Sequence, residues 1–231
     1  MCEFFSCIID KKGKVYWDVY DDSHEYLITK FNLDANKDEV DKYVRIEVNP
    51  ADGNIFNHKI NNWSIKIDEQ IIPSWYERNQ KTLYEKNIYK ALQTCFQKNF
   101  IIKKNNVKLD DGIWFVFDST ISKLEENVLI RVLKKSTVQK MWDSSTVQEM
   151  GGFSTVQEMR GSSTVQEMLG SSIVQEMWDS SIVQKMRDSS TVITSQYNYN
   201  EIKKPSSKKN NAIFIDRKNK IIFVGHKKVK F

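Results

Sequence analysis

The sequence predicts an α+β N-terminal domain followed by a β-solenoid of nine-residue repeats and a C-terminal capping β-hairpin. Three observations carry this. From Ser136 to Asn198 one nonapeptide recurs seven times, as STVQKMWDS, STVQEMGGF, STVQEMRGS, STVQEMLGS, SIVQEMWDS, SIVQKMRDS and STVITSQYN, and a short fixed period with a branched apolar residue in every copy marks a stacked-repeat architecture. Upstream, runs of alternating apolar residues frame one long apolar stripe at helical spacing. Downstream, two short β-prone runs flank a polar turn. The divisions expected are a head over residues 1–112, a solenoid over 113–198, and a basic linker with hairpin over 199–231.

In the head, EFFSCII (3–9) and KVYWDVY (14–20) flank Asp10-Lys11-Lys12-Gly13 and read as a hairpin. A helix is expected from Ser23 to Phe31, with Asp22 and Glu25 as a capping box and Tyr26, Leu27 and Phe31 on its apolar face. Asn32 to Asp41 reads as a loop. Val44, Ile46 and Val48 alternate with outward Arg45 and Glu47, and the run stops at Pro50-Ala51-Asp52-Gly53, a turn sequence. Trp63 to Asp68 alternates as well. From Pro73 to Lys98 a single helix is expected, with Tyr76, Leu83, Tyr84, Ile88, Ala91, Leu92, Cys95 and Phe96 on one stripe that covers an antiparallel sheet.

Asn105 to Gly112 is polar, and Ile113 to Phe117 is an apolar strand. The repeat is foreshadowed by Ser119–Leu124 and, more loosely, by Asn127–Val132; degenerate units are what a solenoid end requires. Within each unit the first six residues form a strand and the last three a corner of Asp, Gly and Ser. Valine at place three points inward in every copy. Methionine at place six has the opposite parity, so it reaches the same interior only if the strand kinks at the fourth or fifth residue. A continuous helix fails, because nine residues at about 100° each leave successive copies half a turn out of phase. Two or three units close one coil, and two is the expectation. With two, Trp142, Arg160 and Trp178 stand in one column as a cation-π row and docking surface; with three, Trp142 stacks on Leu169. Beyond the repeat, Tyr199 to Asn211 is a lysine-rich linker, and the runs at 212–216 and 221–224 form a hairpin that pairs onto the last coil and blocks its edge.

Composition narrows the function classes. With 40% hydrophobic and 28% charged residues the chain is globular, and no run of eighteen apolar residues suggests a membrane span. The start MCEFFSC lacks the basic region and cleavage site of a secretory signal, so a cytoplasmic location is expected. Three cysteines and three scattered histidines fit neither a disulfide framework nor a zinc site, and no cofactor or metal is expected. Net charge is uneven: residues 136–190 carry four basic and seven acidic side chains, residues 191–231 ten and two.

Several motifs taken together resemble a group of uncharacterised bacterial and phage proteins. They are Met1-Cys2-Glu3-Phe4, Ser23-His24-Glu25, the alternating strand from Val44 to Pro50, Pro73-Ser74-Trp75 and the nonapeptides. That resemblance implies a phage or mobile-element context and no catalytic residue.

Candidate chemistry is sparse. Cys2, exposed by removal of Met1, would be an N-terminal nucleophile, but Glu3-Phe4-Phe5 replaces the glycines that follow such a cysteine in amidotransferases. His24 beside Glu25, or His58 with Asp52, are acid-base candidates, although adjacent helical residues point about 100° apart. Lys203, Lys204, Lys208 and Lys209 could contact nucleic-acid phosphates, without aromatic residues among them for base stacking. The glycine-rich calcium-binding nonapeptide and phosphate-loop patterns are missing. The expectation is a non-enzymatic interaction protein, with Trp142, Arg160 and Trp178 as binding residues. Its partner is a host protein or small ligand met by the head or by the crevice between head and solenoid, with self-association also open. Cys2 hydrolysis and nucleic-acid binding are the alternatives.

Overall fold

The computed structural model describes residues 5–33, 42–77, 81–194, 212–217, 220–224 and 227–230. The chain divides into two compact units, residues 1–99 and 100–231. The solenoid sheets thus begin before Ile113.

In the first unit β1 (Phe5–Asp10), β2 (Val15–Tyr16), β3 (Tyr43–Pro50) and β4 (Trp63–Ile67) form an antiparallel sheet in the order β2-β1-β3-β4. The Asp10 carboxylate accepts the Lys12 and Lys14 backbone N–H groups, each at 2.9 Å, which shapes the first turn. Helix α1 (His24–Lys30) is capped by Ser23 rather than Asp22: the Ser23 hydroxyl accepts the Tyr26 N–H at 3.3 Å. Val44, Ile46 and Val48 are fully buried, as their alternation predicts. Glu47 is buried too, at 8% exposure, because Lys66 on the neighbouring strand lies across it with Nζ 3.2 Å from Oε2.

Of the expected long helix, the described residues form α2 (Ser74–Glu77) and α3 (Lys81–Asn99). Tyr84, Ile88, Ala91, Leu92, Cys95 and Phe96 are the buried stripe of α3, whereas Leu83 is exposed. Helix α3 also holds the first hairpin turn, with Tyr84 Oη donating to Lys11 O at 3.0 Å and Asn87 Nδ2 to Gly13 O at 2.9 Å.

The second unit is a parallel β-solenoid of about six turns over residues 100–216 with a C-terminal hairpin. Its strands are β5 (Phe100–Ile102), β6 (Val107–Leu109), β7 (Gly112–Phe117), β8 (Thr120–Leu124) and β9 (Val128–Lys134) in the degenerate part. In the repeat they are β10 (Thr137–Met141), β11 (Thr146–Gly151), β12 (Thr155–Met159), β13 (Thr164–Met168), β14 (Ile173–Met177), β15 (Ile182–Met186) and β16 (Thr191–Thr194). Even-numbered strands form one face and odd-numbered strands the other, up to β16. We call these the even and odd sheets.

Thr137 pairs with Thr155, Thr155 with Ile173, and Thr146 with Thr164. The offset is eighteen residues, so two units close a coil and the three-unit alternative is excluded. Ser119–Leu124 aligns as expected, Ile121 on Val138 and Leu124 on Met141. The looser match shifts by one residue: Ile130 and Leu133, not Leu129 and Val132, take the valine and methionine places.

Repeat strands show the expected kink. Valine and methionine are both buried, while the two residues between them face outward. The paired ladder skips the glutamine, as between Val138↔Val156 and Lys140↔Glu158, which breaks the two-residue alternation.

At the end, β17 (Ile213–Asp216) stacks parallel on β16, and β18 (Ile221–Val224) and β19 (Lys227–Lys230) extend the even sheet antiparallel. The hairpin covers the β16 edge as expected and gains one further strand. Lys227 and Lys228 on β19 are exposed, a charge pattern that discourages edge-to-edge pairing.

Two outcomes test this packing. Met159→Ala should lower unfolding free energy by about 2–5 kcal/mol in a denaturant titration, since its side chain is wholly enclosed. Burial pushes the Tyr76 phenol up to about 12, and its hydroxyl lacks a hydrogen-bond partner among the described residues. A folded-state value above the unfolded one means the stability is present below about 10 and is lost as pH rises toward 12. Tyr76→Phe should therefore be near neutral at pH 7 and should reduce the alkaline loss of stability, read as Tm against pH.

Candidate interaction surface

Because the kink sends two consecutive side chains outward, each outer face carries paired polar rows. On the even sheet Gln139, Gln157 and Gln175 line a shallow groove with Ile193 and Arg217 at one end. Beside the glutamines run Lys140, Glu158 and Glu176, one per coil at the roughly 4.8 Å strand spacing.

Place seven adds the predicted column. Backbone bonds from Trp142 N to Leu124 O (3.2 Å), Arg160 N to Met141 O (2.9 Å) and Trp178 N to Met159 O (2.9 Å) hold it in register. Trp142 and Trp178 are half-buried and Arg160 is exposed. The Arg160 guanidinium lies 5.8 Å from the Trp178 ring centroid and pairs with Glu158. Trp178 Nε1 donates to Glu176 Oε2 at 3.3 Å. The cations over Trp142 are lysines: Lys123 Nζ at 3.7 Å and Lys140 Nζ at 5.6 Å from the centroid. The row is thus two cation-π groups within one column.

Next to Trp142, Glu125 accepts Lys123 (2.8 Å) and Lys108 (3.2 Å), and the two ammonium groups hold its carboxyl below the usual range. Lys108 is held above its usual value by Asp110 first and Glu125 second. On the odd sheet the place-seven residues are Gly151, Leu169 and Arg187, and Glu167 takes both Arg187 and Lys185, the latter at 3.1 Å.

Corners set how far these rows project. Place eight is left-handed in the six complete repeat corners, at φ 55–57° for Asp143, Asp179 and Asp188 and 64–68° for Gly152, Gly161 and Gly170. Two of the aspartates bond to the coil below: Gly161 N–H donates to Asp179 Oδ2 at 3.0 Å and Gly170 N–H to Asp188 Oδ2 at 2.8 Å. A methyl group on Gly161 would stand 3.0 Å from Asp143 N. Place-one serines from Ser145 to Ser190 are fully buried inside the corners. These features went unread in the sequence, although the signal was present: Gly161 with Asp179 and Gly170 with Asp188 each stand eighteen residues apart, the coil period.

The other candidates sit elsewhere. His24 is buried, with Nδ1 3.3 Å from Asp68 Oδ2 and Nε2 3.3 Å from Ile46 O. Its carboxylate is Asp68, not Glu25, and it ties the start of α1 to the sheet. His58 stacks on Phe96 at 4.4 Å, and burial lowers its pKa. Asp52 accepts Asn57 Nδ2 at 2.8 Å and Asn54 N at 2.9 Å, which lower its pKa and shape the local loop. Cys7 and Cys95 are both buried, and burial pushes the Cys7 thiol up, away from reactivity. Cys2 and Lys203, Lys204, Lys208 and Lys209 lie outside the described residues. No helix among the described residues is long and apolar enough to cross a membrane.

Compared with protein-family models, with curated proteins and with solved structures, the chain matches none.

The corner contacts predict that Asp179→Ala lowers unfolding free energy by about 1 kcal/mol through loss of one solvent-exposed hydrogen bond. Gly161→Ala should cost more, through its positive φ and the closeness of Asp143. Chemical denaturation of the two variants beside the parent decides both the size and the order.

Proposed function

We propose that this chain is a non-enzymatic interaction protein of a phage or another mobile element, and that it binds a host protein in the cytoplasm. Its docking surface on this reading is the outer face of the even sheet along Trp142, Arg160 and Trp178. One observation carries the reading: two tryptophans and an arginine are held at one-coil intervals by backbone bonds of a rigid solenoid. Tryptophan and arginine dominate the energetics of protein interfaces, and a rigid array loses little entropy when it docks.

The groove beside the row supports the same reading. Gln139, Gln157 and Gln175 offer donors and acceptors to a polar rim, the setting in which buried anchors are effective.

The test begins with capture by immobilised protein and identification of the partner by mass spectrometry. Affinity is then measured for the parent and for the Arg160→Ala/Trp178→Ala double variant. Both side chains project from the solenoid, so the variant should keep the parent's circular dichroism. Its Kd should rise at least about thirtyfold, the equivalent of about 2 kcal/mol. Equal affinity of parent and variant removes this face from the function, and the absence of any partner at micromolar concentration removes the reading itself.

A further inference from the structure

The two sheets of the repeat are built from one sequence, and the backbone bonds between successive coils match from one sheet to the other. The bond entering each of β12 to β15 is 2.9 Å: Thr155 N to Ser136 O, Thr164 N to Ser145 O, Ile173 N to Ser154 O and Ile182 N to Ser163 O. The bond leaving each strand is 2.8–2.9 Å at Arg160, Leu169, Trp178 and Arg187. At the corners Ser162 N to Asp143 O and Ser171 N to Gly152 O are both 2.8 Å, and Ser180 N to Gly161 O and Ser189 N to Gly170 O are both 3.0 Å. Successive units are therefore related by half a turn about the solenoid axis with half a coil of rise, roughly 2.4 Å.

We infer that the nonapeptide, and not the eighteen-residue coil, is the step by which this solenoid changes length, and that each single step turns everything beyond it by half a turn. Removal of residues 154–162 joins Phe153 to Ser163. Strand β13 then lies on β10 in the even sheet, and β14 lies on β11 in the odd sheet. Valine again meets valine and methionine meets methionine, because both sheets present the same inward residues. The corners survive as well. Gly170 comes to rest on Asp143, as Gly161 does in the parent, and Asp179 comes over Gly152, repeating its relation to Gly161.

The C-terminal cap follows, since β17 takes its register from β16. It ends on the odd sheet instead of the even one. What changes is the outer surface: Trp142 now neighbours Leu169, and Trp178 is carried to the opposite face. A one-unit change keeps the core and redraws the surface, whereas a two-unit change keeps cap and surviving rows on their original sheets. The inference stands independently of any partner.

A cross-linking experiment decides it in the full chain with Cys2→Ser, which leaves only the buried Cys7 and Cys95. Lys140→Cys and Glu167→Cys lie on opposite outer faces of the parent, because Lys140 pairs with Glu158 on the even sheet and Glu149 with Glu167 on the odd sheet. In the 154–162 deletion they become direct neighbours on adjacent strands, within the Cα range of about 4.4–6.8 Å that a disulfide accepts. The deletion should unfold in one cooperative transition and, under mild oxidation, lose both thiols at least about tenfold faster than the full-length double-cysteine protein. For the two-unit step, Lys140→Cys with Glu176→Cys should cross-link in a 154–171 deletion. Failure of the nine-residue deletion to fold, or a folded deletion whose thiols stay as slow as the parent's, overturns the inference.

Discussion

Valine and methionine stand three places apart in each repeat strand, and an ordinary pleat would send them to opposite faces. Everything in the solenoid depends on the backbone breaking that alternation at the intervening pair. Once it does, both side chains are enclosed, from Val138 and Met141 through Val183 and Met186, each worth roughly 1.5–3 kcal/mol of burial. The same break sends two polar residues outward in succession, so the outer faces are double rows of glutamine beside Glu or Lys. Core and surface come from one distortion. Methionine suits it, because a flexible unbranched chain reaches inward where a β-branched one would be held by its rotamers.

Corners complete the constraint. A coil of two flat strands must reverse direction twice, and each complete repeat corner does so through one residue at positive φ. Glycine accepts that conformation freely and aspartate tolerates it. The two support one another up the stack, since the Asp179 and Asp188 carboxylates reach the N–H groups of Gly161 and Gly170 beneath them. Like charges along the outer rows are offset locally: Glu158 by Arg160, Glu167 by Lys185 and Arg187, and Glu125 by Lys123 and Lys108. The variable seventh place thereby carries two roles, neutralising the fifth place and exposing aromatic surface.

The head follows different physics. Its contacts are long in sequence and individually unlike one another. Tyr84 and Asn87 of α3 secure a turn more than seventy residues earlier, and His24 joins α1 to Ile46 and Asp68. A sheet stabilised by single, non-repeating contacts has no unit that could be copied. The solenoid, with nearest-neighbour contacts only, has one.

Periodicity made the architecture legible. The invariant valine, the odd parity of methionine and the corner residues announce a kinked strand and a turn, and alternation in residues 44–48 and the stripe on α3 announce the head. Local chemistry fell short where a neighbour from another strand decided the outcome, as with Glu47 under Lys66, or where two adjacent side chains could each serve as the cap, as with Ser23 in place of Asp22. By itself the sequence determined that identical units must stack, and which residues they enclose. Only the tertiary structure decided that two units close a coil, because corner geometry and interstrand spacing are properties of packed coils, and a period of nine is compatible with either two or three faces. That choice alone brings Trp142, Arg160 and Trp178 into one column.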